Sequence, residues 1–528
     1  MKSDTDVLIV GAGPSGLMMA CQLAIHNIPF RIIDKSEDHT TQSRALVVQA
    51  RSMEIFDQMG IAEEAIQKGQ VAKAIGAFFN GKKVLRLIVN NIGEGLTKFP
   101  YFLMLEQSCT ESLLVNFLAA RGHQVERRKE LISIDQNANE VIAVLKQTGG
   151  QEEIVKTKYI IAADGAHSTV REQLKIDFVG STYEQSLFVL DCKAIVDIPH
   201  DEMYLTFARN ALGGFFPLTN GRWRILGNLP GELEKKEKVS FEDIEKNYAE
   251  RVQINVKLYD AHWFSVYRTH HRYASTFRKG RCFLIGDAAH IHSPVGAQGM
   301  NTGLQDAYNL SWKLSLVIKG KAKDKLLDTY NEERISIARN LVRTTDKAFK
   351  LFASPNFFFQ TIRLYVIPVG IKLVVPVFLK FKSIQRLAFK YVSEIGISYR
   401  KNFLAKNSSL GKFPGNSPKP GDRLPFIKFK DANEEVINIQ EKIKSNSFSL
   451  FIFSHKVPNE WLSFLDQFKN IISSEIIPFS IDTKNIYSKL GVYKNGCYLI
   501  RSDMYIAYRA DKFELEHFRK YLSQFLNK

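Results

Sequence analysis

Residues 6–16 read Asp6-Val-Leu-Ile-Val-Gly-Ala-Gly-Pro-Ser-Gly16, an apolar, β-rich run that passes straight into a glycine-rich turn. The run predicts a buried parallel strand. Pro14 to His26 then carry apolar side chains almost all round, including Leu17, Met18, Leu23 and Ile25, as expected of a helix packed under a sheet. Between strand and helix, Gly11 permits the tight turn and Gly13 lets a pyrophosphate approach the backbone. Gly16 lets helix and strand pack closely, and Pro14 and Ser15 open the helix whose N-terminus faces the phosphates. A second strand, Phe30-Arg-Ile-Ile33, runs into Asp34 and Lys35. Asp34 stands 23 residues after Gly11, where an acid accepts hydrogen bonds from an adenosine ribose. Strand, glycines, helix and acid agree, which a chance glycine turn would not produce.

A second segment, Gly286-Asp-Ala-Ala-His-Ile-His-Ser-Pro-Val-Gly-Ala-Gln-Gly-Met-Asn301, decides which dinucleotide. Arg281–Ile285 reads as a strand ending at Gly286 and Asp287, and Gln298–Asn301 opens an amphipathic helix through about Ile318. Asp287 at a strand end can bind ribityl hydroxyls. Gly299, Met300 and Asn301 offer N–H groups at a helix N-terminus, suited to negative charge on a reduced flavin ring. A protein holding NAD has no use for this distant second clamp. His290 and His292 lack Cys, Asp or Glu partners at ligand spacing, so both read as structural and no metal is expected.

Four further stretches carry a family resemblance. Asp164-Gly-Ala-His-Ser-Thr-Val-Arg171, Ser43-Arg-Ala-Leu-Val-Val48 and Leu105-Glu-Gln-Ser-Cys-Thr-Glu111 join the two motifs above, and Leu327–Arg334 follows the second of them. With these the chain resembles the FAD-dependent aromatic hydroxylases of the para-hydroxybenzoate hydroxylase type. Within that type it is most similar to the longer phenol, pentachlorophenol, hydroxyphenylpropionate and polyketide hydroxylases. The resemblance covers residues 4 to about 400 and implicates Arg44 along the FAD pyrophosphate. It also implicates Gln107 at the flavin, and Asp164 at both flavin and nicotinamide nucleotide. His167 departs from the arginine expected there.

The resemblance implies FAD as cofactor, NADPH or NADH as reductant, O₂ as co-substrate and an aromatic, often phenolic, small-molecule substrate. Oxygen would be delivered from a flavin C4a-hydroperoxide, while the protein excludes water and raises electron density on the substrate ring. The backbone at Pro294 is the best candidate to face the substrate. Phe215, Phe216, Pro217 and Trp223 are candidates for the cavity wall, and Tyr204, His270 and His271 for the base. Two alternatives remain on the same scaffold. One is a halogenase or prenyl-lipid reductase, although the halogenase Trp-x-Trp-x-Ile-Pro is absent. The other is an oxygenase or reductase of an antibiotic, polyketide or quinone precursor. A binding protein that has lost its cofactor fits poorly with intact flavin anchors.

The 528 residues allow two to four domains, and 45% hydrophobic content makes them globular. Five cysteines without framework spacing, and a strand within six residues of the N-terminus, predict a reducing, cytoplasmic setting and leave no room for a signal peptide. The net charge of +17 is dispersed among acids, so no nucleic-acid partner is expected. A solvated basic surface that attracts NAD(P)H and an anionic substrate fits better. Residues 356–381 are rich in apolar and aromatic side chains but interrupted by Arg363, Lys372, Lys380, Pro368 and Pro376. Buried helices are the first reading of that stretch, and peripheral membrane contact the second.

The fold class is α/β. Residues 1–177 and 276–400 are expected to form a split Rossmann-like FAD-binding domain with helices at its end. Residues 178–275 form an inserted antiparallel substrate-binding sheet, with Asn220-Gly221 as a hairpin turn. After a Pro/Gly-rich linker, 410–528 resembles the thioredoxin-like C-terminal domain of the longer hydroxylases. It holds only Cys497 and no Cys-x-x-Cys, so packing or a homodimer contact is its expected role.

Overall fold

The computed structural model describes residues 4–38, 45–209, 211–293, 296–354, 356–407, 413–430 and 434–527. Its first sheet is built around the strand Thr5–Val10, which pairs in parallel with Phe30–Ile33 on one side and Glu152–Ala162 on the other. Cys282–Leu284 adds a further parallel strand beside Glu152–Ala162. All four therefore point their carboxyl ends the same way, the end at which ligands bind in open parallel sheets. Val7, Leu8 and Ile9 are fully buried, as in parallel strands covered on both faces. Helix Pro14–Ile25 lies against helix Gly299–Ile318 and against Gln107–Ala119. Gly11, at φ +99°, makes the turn between strand and helix, and a Cβ there would stand 2.3 Å from the Ala163 carbonyl oxygen.

The second sheet has eight strands. Two of them, Phe178–Val196 and Val256–Ala274, are 19 residues long and pair antiparallel. Trp223–Asn228, Ala211–Pro217 and Glu202–Ala208 follow, and the sheet then takes in Ala74–Phe79 and Lys82–Ile88 from the N-terminal part of the chain. Asn220 and Gly221, both at positive φ, join Ala211–Pro217 to Trp223–Asn228. One face of this sheet is covered by helix Phe241–Val252, with Phe188, Leu190, Phe215, Trp223 and Ile225 packed against Ile244 and Tyr248.

Gly496–Ile500 centres a five-stranded mixed sheet in the last part of the chain, with Phe448–Phe453 and Ile506–Ala510 on either side. The core beneath it is continuous with the earlier helices, since Trp312, Leu316 and Leu326 share a cluster with Phe448, Trp461, Phe518 and Leu522. Charge reinforces this joint: Arg501 reaches Glu333 at 2.6 Å, and Arg423 reaches Glu54 at 2.9 Å.

The reading of 356–381 as buried helices is corrected here. Phe357–Lys380 forms one helix of 24 residues, wound as a π-helix over Ile362–Val366, and only 11% of its apolar stretch is buried. The prolines did not interrupt it. Pro368 and Pro376 both lie inside it, Pro368 directly after the π-wound turn, where the helical hydrogen-bond ladder is already shifted.

Candidate active site

The four parallel strands end on a cavity of about 1010 Å³. Val10–Ser15, Asp34 and Lys35, Asp164–His167, and Asp287 line it from the strand ends, with Gly299 and Met300 from the start of the following helix. Segments 275 residues apart in sequence thus meet because their strands are neighbours in one sheet. Gln107 also reaches the cavity; its Oε1 accepts from the Ala45 amide at 3.2 Å and its Nε2 donates to Glu111 at 2.9 Å.

Both helix ends that face the cavity are bare of side-chain caps. Gly13 caps the first helix through its backbone only, with no acid in the first turn, and a Cβ added there would find nothing within 4 Å. Gln298 likewise gives no side-chain cap to Gly299–Ile318, again with no acid in the first turn. Two uncapped, partly positive helix ends therefore open into one cavity. Asp34 is held in position by the Ala12 amide at 2.6 Å and the Ser36 amide at 2.8 Å. Asp287 is exposed while Gly286 and Ala288 on either side are buried, so its carboxylate is the part of the turn that meets the cavity. The turn is fixed from behind by buried Asp306. It accepts from the Gly286 amide at 3.0 Å and from Arg334 Nε at 2.6 Å, and it lies 2.7 Å from His290 Nε2. His290 is thus structural, and among the described residues no group of His, Cys, Asp and Glu could hold a metal.

Asp164 leaves Oδ1 buried without a partner, and burial raises its carboxyl above the ordinary range. His292 leaves Nε2 in the same condition, 3.3 Å from where a Cβ on Gly299 would stand. Burial lowers its ring to about 4, so it is neutral at physiological pH. Asp164 and His292 both belong to the cavity lining, and a cavity with two positive helix ends fits a bound dinucleotide. Asn301 does not line the cavity. Its side chain accepts from the Gln49 amide at 2.8 Å and donates to the Val47 carbonyl at 2.8 Å, clasping the 47–49 segment to the helix. Gly16 and Gly286 lie behind the lining and serve packing.

Strand alternation decides what the second sheet contributes. Val189, Phe216, Arg224 and Leu226 face the cavity, whereas Phe215 and Trp223 face the opposite core. Asp191, Arg224 and Phe216 stand opposite one another on three adjacent strands. Asp191 grips Arg224 through two bonds of 2.7 Å, both groups being buried. Arg224 was missed in sequence because its partner is 33 residues away and only the register brings them together.

The structure does not bring Tyr204 or His271 to the cavity. Tyr204 is fully buried over Gly76 and donates to Glu202 at 2.7 Å, and burial raises its hydroxyl. His271 points to the far side of its strand, 2.8 Å from Ser181 Oγ and 4.6 Å, ring to ring, from Tyr183. Its neighbour His270 takes the cavity side, with Nδ1 2.8 Å from Thr182 Oγ1, and burial lowers its pKa. Arg44 and Pro294 lie outside the described residues.

A family model described as FAD binding domain matches residues 4–345. The chain belongs to this FAD-binding family. It is 36% identical over 352 residues to 6-methylpretetramide 4-monooxygenase of Streptomyces rimosus, covering 66% of this chain and 62% of that enzyme. To pentachlorophenol 4-monooxygenase of Sphingobium chlorophenolicum it is 32% identical over 347 residues, 65% of this chain and 64% of that enzyme. The chain thus spans somewhat under two thirds of the length of these relatives. Anhydrotetracycline hydroxylase from Streptomyces rimosus has the same overall fold, with a TM-score of 0.77 and 25% identity over 99% of both chains.

One buried acid beneath the site is expected to make stability depend on pH. Glu394 accepts from Thr302 Oγ1 at 2.7 Å and Gln305 Nε2 at 2.6 Å, both in the Gly299–Ile318 helix. Burial pushes its carboxyl from 4.5 up to about 7. The folded state therefore keeps a proton that the unfolded chain releases, and stability falls as pH rises through that window, by roughly 3 kcal/mol. Glu394→Gln should flatten this fall in urea unfolding measured at several pH values. Equal slopes in the two proteins would contradict it.

Proposed function

We propose that the cavity holds FAD extended from the Gly11–Gly16 turn to the Gly299 helix, and that the protein hydroxylates an aromatic, phenolic small molecule using O₂ and NADPH or NADH. The observation that carries this reading is the convergence of the four strand ends and two uncapped helix ends on one cavity. Bound FAD supplies the two-electron chemistry through which the nicotinamide cofactor activates O₂.

The chain's own groups have distinct tasks in this reading. The open space over Gly13 admits the pyrophosphate, and Asp34 accepts from the adenosine ribose. Asp287 accepts from the ribityl chain, while the Gly299 and Met300 amides stabilise negative charge on the ring. Val189, Phe216 and Leu226 form a wall that excludes water, and Arg224, held by Asp191, is a fixed cation beside it. The geometry favours His270 over Tyr204 and His271 as acceptor of a substrate proton, since only His270 lines the cavity. Arg44 along the pyrophosphate and Pro294 toward the substrate keep the roles the resemblance implies, and Arg44→Ala should weaken both FAD and NAD(P)H use. The 413–527 unit is a thioredoxin-like fold with a docking role in this reading, since buried Cys497 has no partner for dithiol chemistry.

The test is substrate-accelerated NAD(P)H oxidation across phenols and fused-ring polyketides under ¹⁸O₂, with products read by mass spectrometry. One labelled oxygen in a hydroxylated ring supports the proposal; oxidation of a substrate without label overturns it. Labelled product from polyketides alone would favour the second reading, an antibiotic, polyketide or quinone precursor as substrate. The names of relatives such as 6-methylpretetramide 4-monooxygenase speak for it. Asp287→Ala should weaken FAD about ten- to a hundredfold, the equivalent of roughly 1.5–3 kcal/mol for a charged acceptor. If Asp287 only stabilises its turn, the variant instead melts earlier and keeps its FAD affinity.

A further inference from the structure

The most apolar 18-residue stretch of helix Phe357–Lys380 has a mean hydropathy of 2.0, yet the helix is applied to the protein along one side only. Leu364, Ile367 and Ile371 pack on Ala77, Phe79 and Phe207 of the eight-stranded sheet, and Arg363 donates to the Phe352 carbonyl at 2.6 Å. On the other side Tyr365, Val366, Val369, Leu373, Val374 and Val377 keep 48–69% of their surface exposed. Helix Lys382–Val392 extends this face with Ile384, Leu387 and Tyr391 at 43%, 70% and 60%. An exposed apolar face of this extent marks an interaction site.

Charge says what kind. Between Asp346 and Glu394 the chain contains no acid, and eight lysines and arginines. Lys382, Arg386 and Lys390 recur every four residues and so share one face of the second helix, while Lys372 and Lys380 flank the exposed valines and leucines of the first. Their aliphatic stems can lie along the apolar surface with the charges reaching outward.

We propose that this face seats the protein on an anionic lipid bilayer, with both helices lying in the plane of the interface. An apolar stripe rimmed by cations matches acyl chains below and anionic headgroups above. A second copy of the chain is a poor occupant, because a two-fold contact would set one basic rim against the other. Crossing the bilayer would strip Leu364, Ile367 and Ile371 from the sheet. The end of the second helix is tied to the cavity, since Gln298 Nε2 lies 3.3 Å from the carbonyls of both Tyr391 and Val392. The contact would therefore hold the cavity close to the membrane surface.

Co-sedimentation of the full chain with vesicles of phosphatidylcholine alone, or of phosphatidylcholine and phosphatidylglycerol in equal parts, tests this. The protein should pellet with the anionic vesicles and be largely released by high salt. Leu373→Glu with Val377→Glu, and separately Lys382→Glu, Arg386→Glu and Lys390→Glu together, should each weaken vesicle binding about tenfold or more. Should those variants melt early, Leu387→Trp gives a second readout. Its fluorescence should shift to the blue on adding anionic vesicles, and an unshifted spectrum counts against the proposal. Wild-type protein left in the supernatant with anionic vesicles overturns it. So does a dimer in light scattering that Leu373→Glu with Val377→Glu dissociates while no vesicle binding is seen, which would assign the face to a second copy.

Discussion

Glu333→Ala is expected to lower the stability of the folded chain by about 3–5 kcal/mol, the cost of leaving a buried charge without its partner. Glu333 is 2% exposed, and its two oxygens take Arg501 at 2.6 and 3.0 Å, Lys313 at 2.7 Å, Asn309 at 2.7 Å and Asn402 at 2.5 Å. Burial alone would raise its pKa, but the Arg501 and Lys313 charges outweigh it and hold the carboxyl at about 2. Lys313 is fully buried and pulled down to about 8, so it depends on this carboxylate to stay charged. Arg501 belongs to the C-terminal unit and Lys313 to the helix that begins at the cavity, so the variant should also loosen the joint between them. Urea unfolding and limited proteolysis of the full chain would show it. An unchanged midpoint together with an unchanged digest would remove the network as the clasp.

The second large effect concerns Gly13. Its backbone is extended at φ −74° and ψ −176°, and an added Cβ meets no atom within 4 Å, so Gly13→Val should fold as the wild type does. The same open space is where the pyrophosphate is proposed to approach. FAD affinity should therefore fall at least about a hundredfold, close to 3 kcal/mol, with little change in the melting temperature of the apoprotein. The contrast with Gly11 sharpens the reading, because there a Cβ would collide with backbone and unfold the turn. Retained FAD affinity in Gly13→Val would place the phosphates elsewhere.

Much of the nucleotide end was legible in sequence because its signals are local. The strand Phe30–Ile33 was read to the residue, and the helices beginning at Pro14 and Gly299 follow from glycine turns after apolar strands. The substrate side was less legible. Alternation shows that Phe215 and Phe216 face opposite ways, but only the docking of helix Phe241–Val252 decides that Phe216 is the one toward the cavity. Ala74–Phe79 joins the second sheet through parallel pairing with Glu202–Ala208, a contact across more than a hundred residues that no local pattern encodes. In the stretch from Phe357, apolar composition showed that the side chains avoid water without showing what covers them.

Titration of FAD into the apoprotein, followed by quenching of flavin fluorescence, tests the central claim most directly. Saturation at one FAD per chain is predicted, with the flavin retained through gel filtration and lost in Gly13→Val. Fluorescence that stays unquenched, with a colourless protein after filtration, would contradict the account.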